Sequence, residues 1–208
     1  MQKNSDYYMI YNIYLNKNVK VFELSAYILT GQIGSGKSEA QKILKTLSYS
    51  CFCADSMVKN LYKNNHIQKK LSAISSDLVK NNVVNINLLR KLVFTNRYIM
   101  QEIENFIHPI IFSEFKEIER KYKNNLIFIV PIIKNNKFFK KYETIYIFSN
   151  DSLRRKRVEK RKNYNKDMID NIFNYQNSID NYKNTSKFKI RNDGTLYDLK
   201  ENIIKIIE

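Results

Sequence analysis

The chain has 208 residues, 43% hydrophobic and 13% aromatic, which is too apolar for a disordered segment and long enough for one α/β domain with an inserted helical piece. Its net charge of +16 is spread among Asn, Ile and Tyr along the whole length, so a solvated basic surface is expected rather than a nucleic-acid groove, which needs its charge on one face. Cys51 and Cys53 make neither a disulfide framework nor a zinc signature, no apolar run reaches the ~18 residues that span a bilayer, and no signal-peptide core is present, so a cytoplasmic monomer without membrane or nucleic-acid partners is expected.

Residues 1–25 show no clear period and are expected to form a weakly ordered extension, with the folded domain running over 26–208. Tyr27 to Thr30 is a short continuous apolar run, the mark of a strand buried on both faces of a parallel sheet; Tyr49 to Cys53, Leu126 to Val130 and Thr144 to Phe148 repeat it, and Phe188 to Arg191 does so more weakly. Between them, Ser38 to Leu47 carries Ala40, Ile43, Leu44 and Leu47 at helical spacing. Tyr98 to Tyr122 does the same with Ile99, Ile103, Phe106, Ile107, Ile110, Ile111, Phe115 and Ile118. Alternating strands and helices predict a doubly wound α/β core. Ser56 to Lys121 holds no convincing strand and reads as a helical insertion that could close over a substrate; within it, His108-Pro109 interrupts the helical pattern, and His108 reads as a packed side chain without a catalytic role.

The chemistry starts at Gly31-Gln32-Ile33-Gly34-Ser35-Gly36-Lys37-Ser38, which fits G-x-x-x-x-G-K-[ST] between a predicted strand and a predicted helix. Three of the four glycines in the chain fall here. Glycine permits the positive φ that turns successive backbone N–H groups toward one phosphate, and the helix N-terminus adds a favourable dipole. Lys37 is placed to reach the β- and γ-phosphates of ATP and the Ser38 hydroxyl to ligate Mg²⁺; a plain glycine turn would need neither.

Asp55 follows the second predicted strand, where carboxyl ends of strands converge on the ligand crevice of an open α/β sheet. It could accept the proton of an attacking hydroxyl or cap the helix that Ala54-Asp55-Ser56 opens, and the residues alone leave both readings open. Arg154, Arg157 and Arg161 would share one side of a helix beyond the fourth strand. They suit phosphoryl oxygens, although a solvated basic face partly paired with Glu159 accounts for the same pattern.

This ordered set, continued by Leu89-Arg90-Lys91-Leu92-Val93-Phe94, Ile107-His108-Pro109, Val130-Pro131-Ile132-Ile133, Arg157-x-x-x-Arg161, Gln176 and Asn192-Asp193-Gly194, resembles the dephospho-CoA kinase family over about Ala26 to Glu208. The resemblance implies a P-loop NTPase fold, three-layered α/β/α with a five-stranded parallel sheet. It also implies a core of 26–55 and 124–208, a helical substrate-binding insertion over about 56–123, and a lid over about 151–180. It implies transfer of the ATP γ-phosphoryl group to the ribose 3′-hydroxyl of dephospho-CoA, with Asp55 as base, Arg157 and Arg161 in the lid, Glu39 and Asn192 beside the nucleotide, and Gln176 near the nucleotide or the lid hinge. Three departures stand out: Glu39 where a hydroxyl residue usually follows the loop serine, Asn85-Ile86 in place of an Asp-Arg pair, and Lys134 after Pro131.

Overall fold

In the computed structural model, residues 26–122, 125–132, 137–162 and 164–207 are described, so the expectations for residues 1–25 and for Lys134 lie outside the described residues. The five apolar runs pair as one sheet: β1 (Ala26–Thr30), β2 (Ser50–Cys53), β5 (Leu126–Ile129), β6 (Glu143–Phe148) and β7 (Phe188–Arg191). Their order is β2-β5-β1-β6-β7 and every pairing is parallel, with Leu29 of β1 opposite Ile129 of β5 on one side and Ile145 of β6 on the other. The strand order turns back at β1, which places the crevice at its carboxyl end.

Continuous apolar strands serve two layers at once, because successive side chains point to opposite faces. Ile28, Leu126 and Phe128 face the helical insertion, meeting Leu71, Leu89, Ile103, Ile107, Ile111 and Phe115. Leu29, Ile127, Ile129, Ile145, Ile147 and Ile190 face α1 (Lys37–Thr46) and α9 (Leu196–Ile207), meeting Ala40, Leu44, Leu199 and Ile203. The molecule is therefore a three-layer α/β/α sandwich.

The insertion comprises α2 (Ala54–Leu61), α3 (Asn65–Ile74), α4 (Ile86–Thr95) and α5 (Arg97–Lys121). Contrary to the strand-free reading, it also holds a hairpin, β3 (Val79–Lys80) with β4 (Val83–Val84), turned by Asn81 and Asn82 at φ 51° and 57°. Asn tolerates that left-handed conformation, and two such residues make the turn that matches strand twist. Nor does His108-Pro109 end the helix, since α5 runs through it. Pro109 is exposed, so its missing N–H and its ring fall on the solvent side of the helix, while Ile103, Ile107 and Ile111 stay buried on the other. Asn85, one of the departures, caps α4 by accepting from the Leu88 amide at 3.1 Å, a task Asn performs as well as Asp.

Beyond β6, α6 (Asp151–Glu159), α7 (Lys166–Ile179) and the short α8 (Tyr182–Thr185) lead back to β7. Val158, Ile169 and Phe173 form a small core of their own against Ile33, which fastens this unit to the glycine loop.

Candidate active site

The glycine loop leaves β1 and enters α1 with Gly36 as its N-cap, in a left-handed conformation and without a side-chain cap. Gly34 has φ +77° and a Cβ there would lie 2.7 Å from the Arg154 carbonyl oxygen; Gly36 has φ +107° and its Cβ would fall on Nδ2 of Asn192. Both positions thus need glycine for conformation and for space. The Gly36, Lys37 and Ser38 amides have no carbonyl partner among the described residues, as the opening turn of a helix requires, and they are the donors an anion would meet.

Side chains from α6, α7 and the segment after β7 hold the loop in shape. Asn192, buried just after β7, donates from Nδ2 to the Ser35 carbonyl at 2.8 Å. Arg157 donates to the carbonyls of Asn192 at 3.0 Å and Gly34 at 3.3 Å and to the Ser149 hydroxyl at 3.3 Å. Asp193 accepts from Ser149 Oγ at 2.6 Å, from the Asn150 amide at 2.8 Å and from Arg191 at 2.6 Å, and these donors hold its carboxyl down at about 2. Gln176 Oε1 accepts from the Ile33 amide at 2.7 Å, and Gln32 donates to Asn177 at 2.9 Å, so α7 is tied to the loop twice.

The arginines after β6 do not act as one set. Arg154 is buried, donating to the Ile33 carbonyl at 3.2 Å and to Asp151 at 2.7 Å with its guanidinium 4.5 Å from the Phe173 ring. Its position is that of a strut inside the protein rather than a ligand at the surface. Arg155 pairs with Asp170, so among the described residues the carboxylates that answer this basic stretch are Asp151 and Asp170, and not Glu159. Arg161 lies beyond the end of α6, exposed on the rim of the cleft. Sequence spacing reached Arg157 and Arg161; the inward turn of Arg154 depends on Ile33 and Phe173, and Ile33 is far away in the chain.

A cleft of about 880 Å³ opens between the loop, the insertion and α7, and Lys37, Ser38, Asp55, Arg157, Arg161 and Asn192 all line it. Lys37 donates from Nζ to the carbonyls of Gly31 at 2.6 Å and Gln32 at 3.2 Å. Its pKa is drawn down to about 8, chiefly by burial, against an opposing contribution from the Asp55 carboxylate and with Arg161 adding to the fall. Asp55 sits in the first turn of α2, whose N-cap is Cys53, and makes no capping bond, so the cap reading fails. Its side chain is exposed toward the cleft. Ser38 also lines the cleft, at the start of α1. Glu39 lines the rim while its carboxylate pairs with Lys42 at 2.9 Å on the surface of α1.

Residues the sequence reading passed over also line the cleft. Tyr62 has its phenol pushed up to about 12 by burial and by Asp55, and Arg90 of α4 lies 5.0 Å from the Tyr164 ring, joining the insertion to the segment before α7. The quoted Leu89 to Phe94 stretch contained Arg90, but its partner could not be read without the fold.

A family model described as dephospho-CoA kinase matches residues 27–198. A relative from Gamma-proteobacterium EBAC31A08, named dephospho-CoA kinase, is 33% identical over 180 residues, covering 84% of this chain and 91% of its own. One of the same name from Rickettsia prowazekii is 26% identical over 185 residues, covering 86% and 94%. Among solved structures, the Thermus thermophilus protein TT1252 superposes with TM-score 0.73 at 20% identity, over 88% of this chain and 95% of that one. A dephospho-CoA kinase from Campylobacter jejuni gives TM-score 0.61 at 24% identity, over 88% and 94%. These two likenesses support the fold.

Proposed function

Because the chain belongs to the dephospho-CoA kinase family, we propose that it transfers the γ-phosphoryl group of ATP to the ribose 3′-hydroxyl of dephospho-CoA, giving coenzyme A. The observation that carries this reading is one cleft lined by both a phosphate-binding loop, which follows β1, and an exposed carboxylate, which follows β2, the two strands flanking β5 in the sheet.

Each role follows from position. The free amides at the start of α1 and the Lys37 ammonium bind the β- and γ-phosphates, and Arg157 and Arg161 add positive charge where negative charge develops during transfer. Arg157, already bonded to Gly34 and Asn192, also fixes the loop's shape, so its charge arrives preorganised. Asp55 receives the proton of the 3′-hydroxyl as the oxygen attacks phosphorus in line with the departing ADP. The donor set fits a magnesium ion bound by the Ser38 hydroxyl and phosphate oxygens: a hard oxygen donor stands at the loop, and no cluster of three metal-ligating side chains occurs among the described residues. When bound, the ion supplies neutralisation of phosphate charge. The unit from α6 to α7 serves as the lid that excludes water, with Arg154, Gln32 and Gln176 anchoring its root to the loop.

The test is a coupled assay with Mg-ATP and a panel of acceptors: dephospho-CoA, nucleoside monophosphates and shikimate. Dephospho-CoA is expected to give the highest kcat/KM, and preference for another acceptor overturns the assignment.

A further inference from the structure

The His108-Pro109 pair has no part in the roles just assigned. Pro109 faces solvent, and one residue earlier on α5, about 100° around the helix, His108 is half-buried in the wall of the cleft. Its ring centroid lies 5.8 Å from that of Phe112, which lies 5.5 Å from Phe139, which lies 6.0 Å from Phe115. Of these rings, half-buried Phe112 shares the cleft surface with His108, and Ile111, Ile132, Phe139 and the fully buried Phe115 pack behind them as an apolar backing.

Among the described residues no hydrogen bond involves the His108 imidazole, and its nitrogens are not among the polar atoms sealed from solvent without a partner, so they are available to a molecule in the cleft. Burial lowers its pKa, so near neutral pH the ring is uncharged and offers one N–H donor and one nitrogen acceptor. Such a ring in an apolar wall matches an amide group carried on an otherwise aliphatic chain. The cleft therefore has two chemically different regions: a charged one at Lys37, Asp55, Arg157 and Arg161, and a largely apolar one whose wall carries the His108 imidazole and, one turn earlier on α5, the Glu104 carboxyl, which burial pushes above the usual carboxylate range.

Resting on the reading of dephospho-CoA as acceptor, we propose that the apolar wall holds the acceptor's pantetheine arm, with His108 hydrogen-bonded to one of its two amides. With the 3′-hydroxyl at Asp55, the arm extends away from the charged region, its methyl groups lie against Phe112, and the imidazole meets an amide that would otherwise be desolvated without a partner.

Steady-state kinetics of His108→Leu and His108→Gln test this, with urea denaturation alongside to confirm that each variant folds. The expected result for His108→Leu is a KM for dephospho-CoA raised about tenfold, with kcat and the KM for ATP changed less than about threefold. His108→Gln, which keeps a donor and an acceptor, recovers most of the loss even if the Leu variant is unstable. An unchanged acceptor KM in the Leu variant overturns the proposal, as does a parallel loss of ATP affinity and kcat that Gln does not repair. Wild-type turnover of dephospho-CoA in the same assay reports on the parent reading: its absence overturns both, whereas its presence with unchanged variant kinetics overturns the role of His108 alone.

Discussion

Replacing Asp55 by Asn separates chemistry from folding, because α2 takes no capping bond from this residue and an amide is as well tolerated in its place. Two effects follow from where the carboxylate stands. Loss of the group that receives the hydroxyl proton lowers kcat by about 10²–10⁴-fold. The second effect works through Lys37, whose pKa of about 8 is the result of burial lowering it while Asp55 raises it. Triphosphate favours the ammonium form, so ATP affinity in the wild type weakens as pH rises through about 8, by up to about tenfold per pH unit for one proton. The Asp55→Asn substitution removes the contribution that raises the pKa, and the bend moves to lower pH. Titration calorimetry with ATP from about pH 6.5 to 9.5, beside initial rates at saturating substrates, reads both effects. Wild-type kcat in Asp55→Asn would refute the role as base, and a bend that stays in place would refute the electrostatic coupling of Asp55 to Lys37.

Lys37→Ala is expected to lower kcat by at least about 10²-fold while leaving the urea midpoint nearly unchanged, since the ammonium bonds only to carbonyls of its own loop among the described residues. Gly36→Ala places a methyl on the Asn192 amide at φ +107°, and is expected to cost about 2–3 kcal/mol in stability and to weaken ATP binding, measured by urea denaturation and calorimetry. Asp193 has a folded pKa of about 2, below its unfolded value of 3.8, so its stabilisation is complete above about 4 and fades as pH falls through 2. Asp193→Asn should flatten that acid limb and lower stability near neutral pH by only about 1–2 kcal/mol, because solvent screens a partly exposed carboxylate.

The sheet was legible because strands buried on both faces are apolar throughout, and β1, β2, β5, β6 and β7 lie within a residue or so of the runs that announced them. The phosphate loop was legible because glycine is physically required at 34 and 36 and rare elsewhere in this chain. The hairpin at β3 and β4 escaped notice because two-residue strands carry no periodic signal, although Asn81-Asn82 between short β-forming pairs was a turn signature. Arg154 and Arg157 look alike in sequence. Their different fates depend on backbone carbonyls at Ile33, Gly34 and Asn192, contacts that reach far along the chain and arise only once β1, β6 and β7 are neighbours. The helical pattern of α5 outweighed Pro109 because the proline faces solvent, where a lost amide bond is replaced by water.

Phosphorus NMR of the product formed from dephospho-CoA and Mg-ATP examines the transfer itself. A new phosphomonoester resonance coupled to the ribose 3′ proton, appearing one for one with ADP and lost in Lys37→Ala, is the predicted outcome. ADP accumulating without that resonance, or a monoester on another oxygen, would contradict the arrangement of loop and carboxylate described for this cleft.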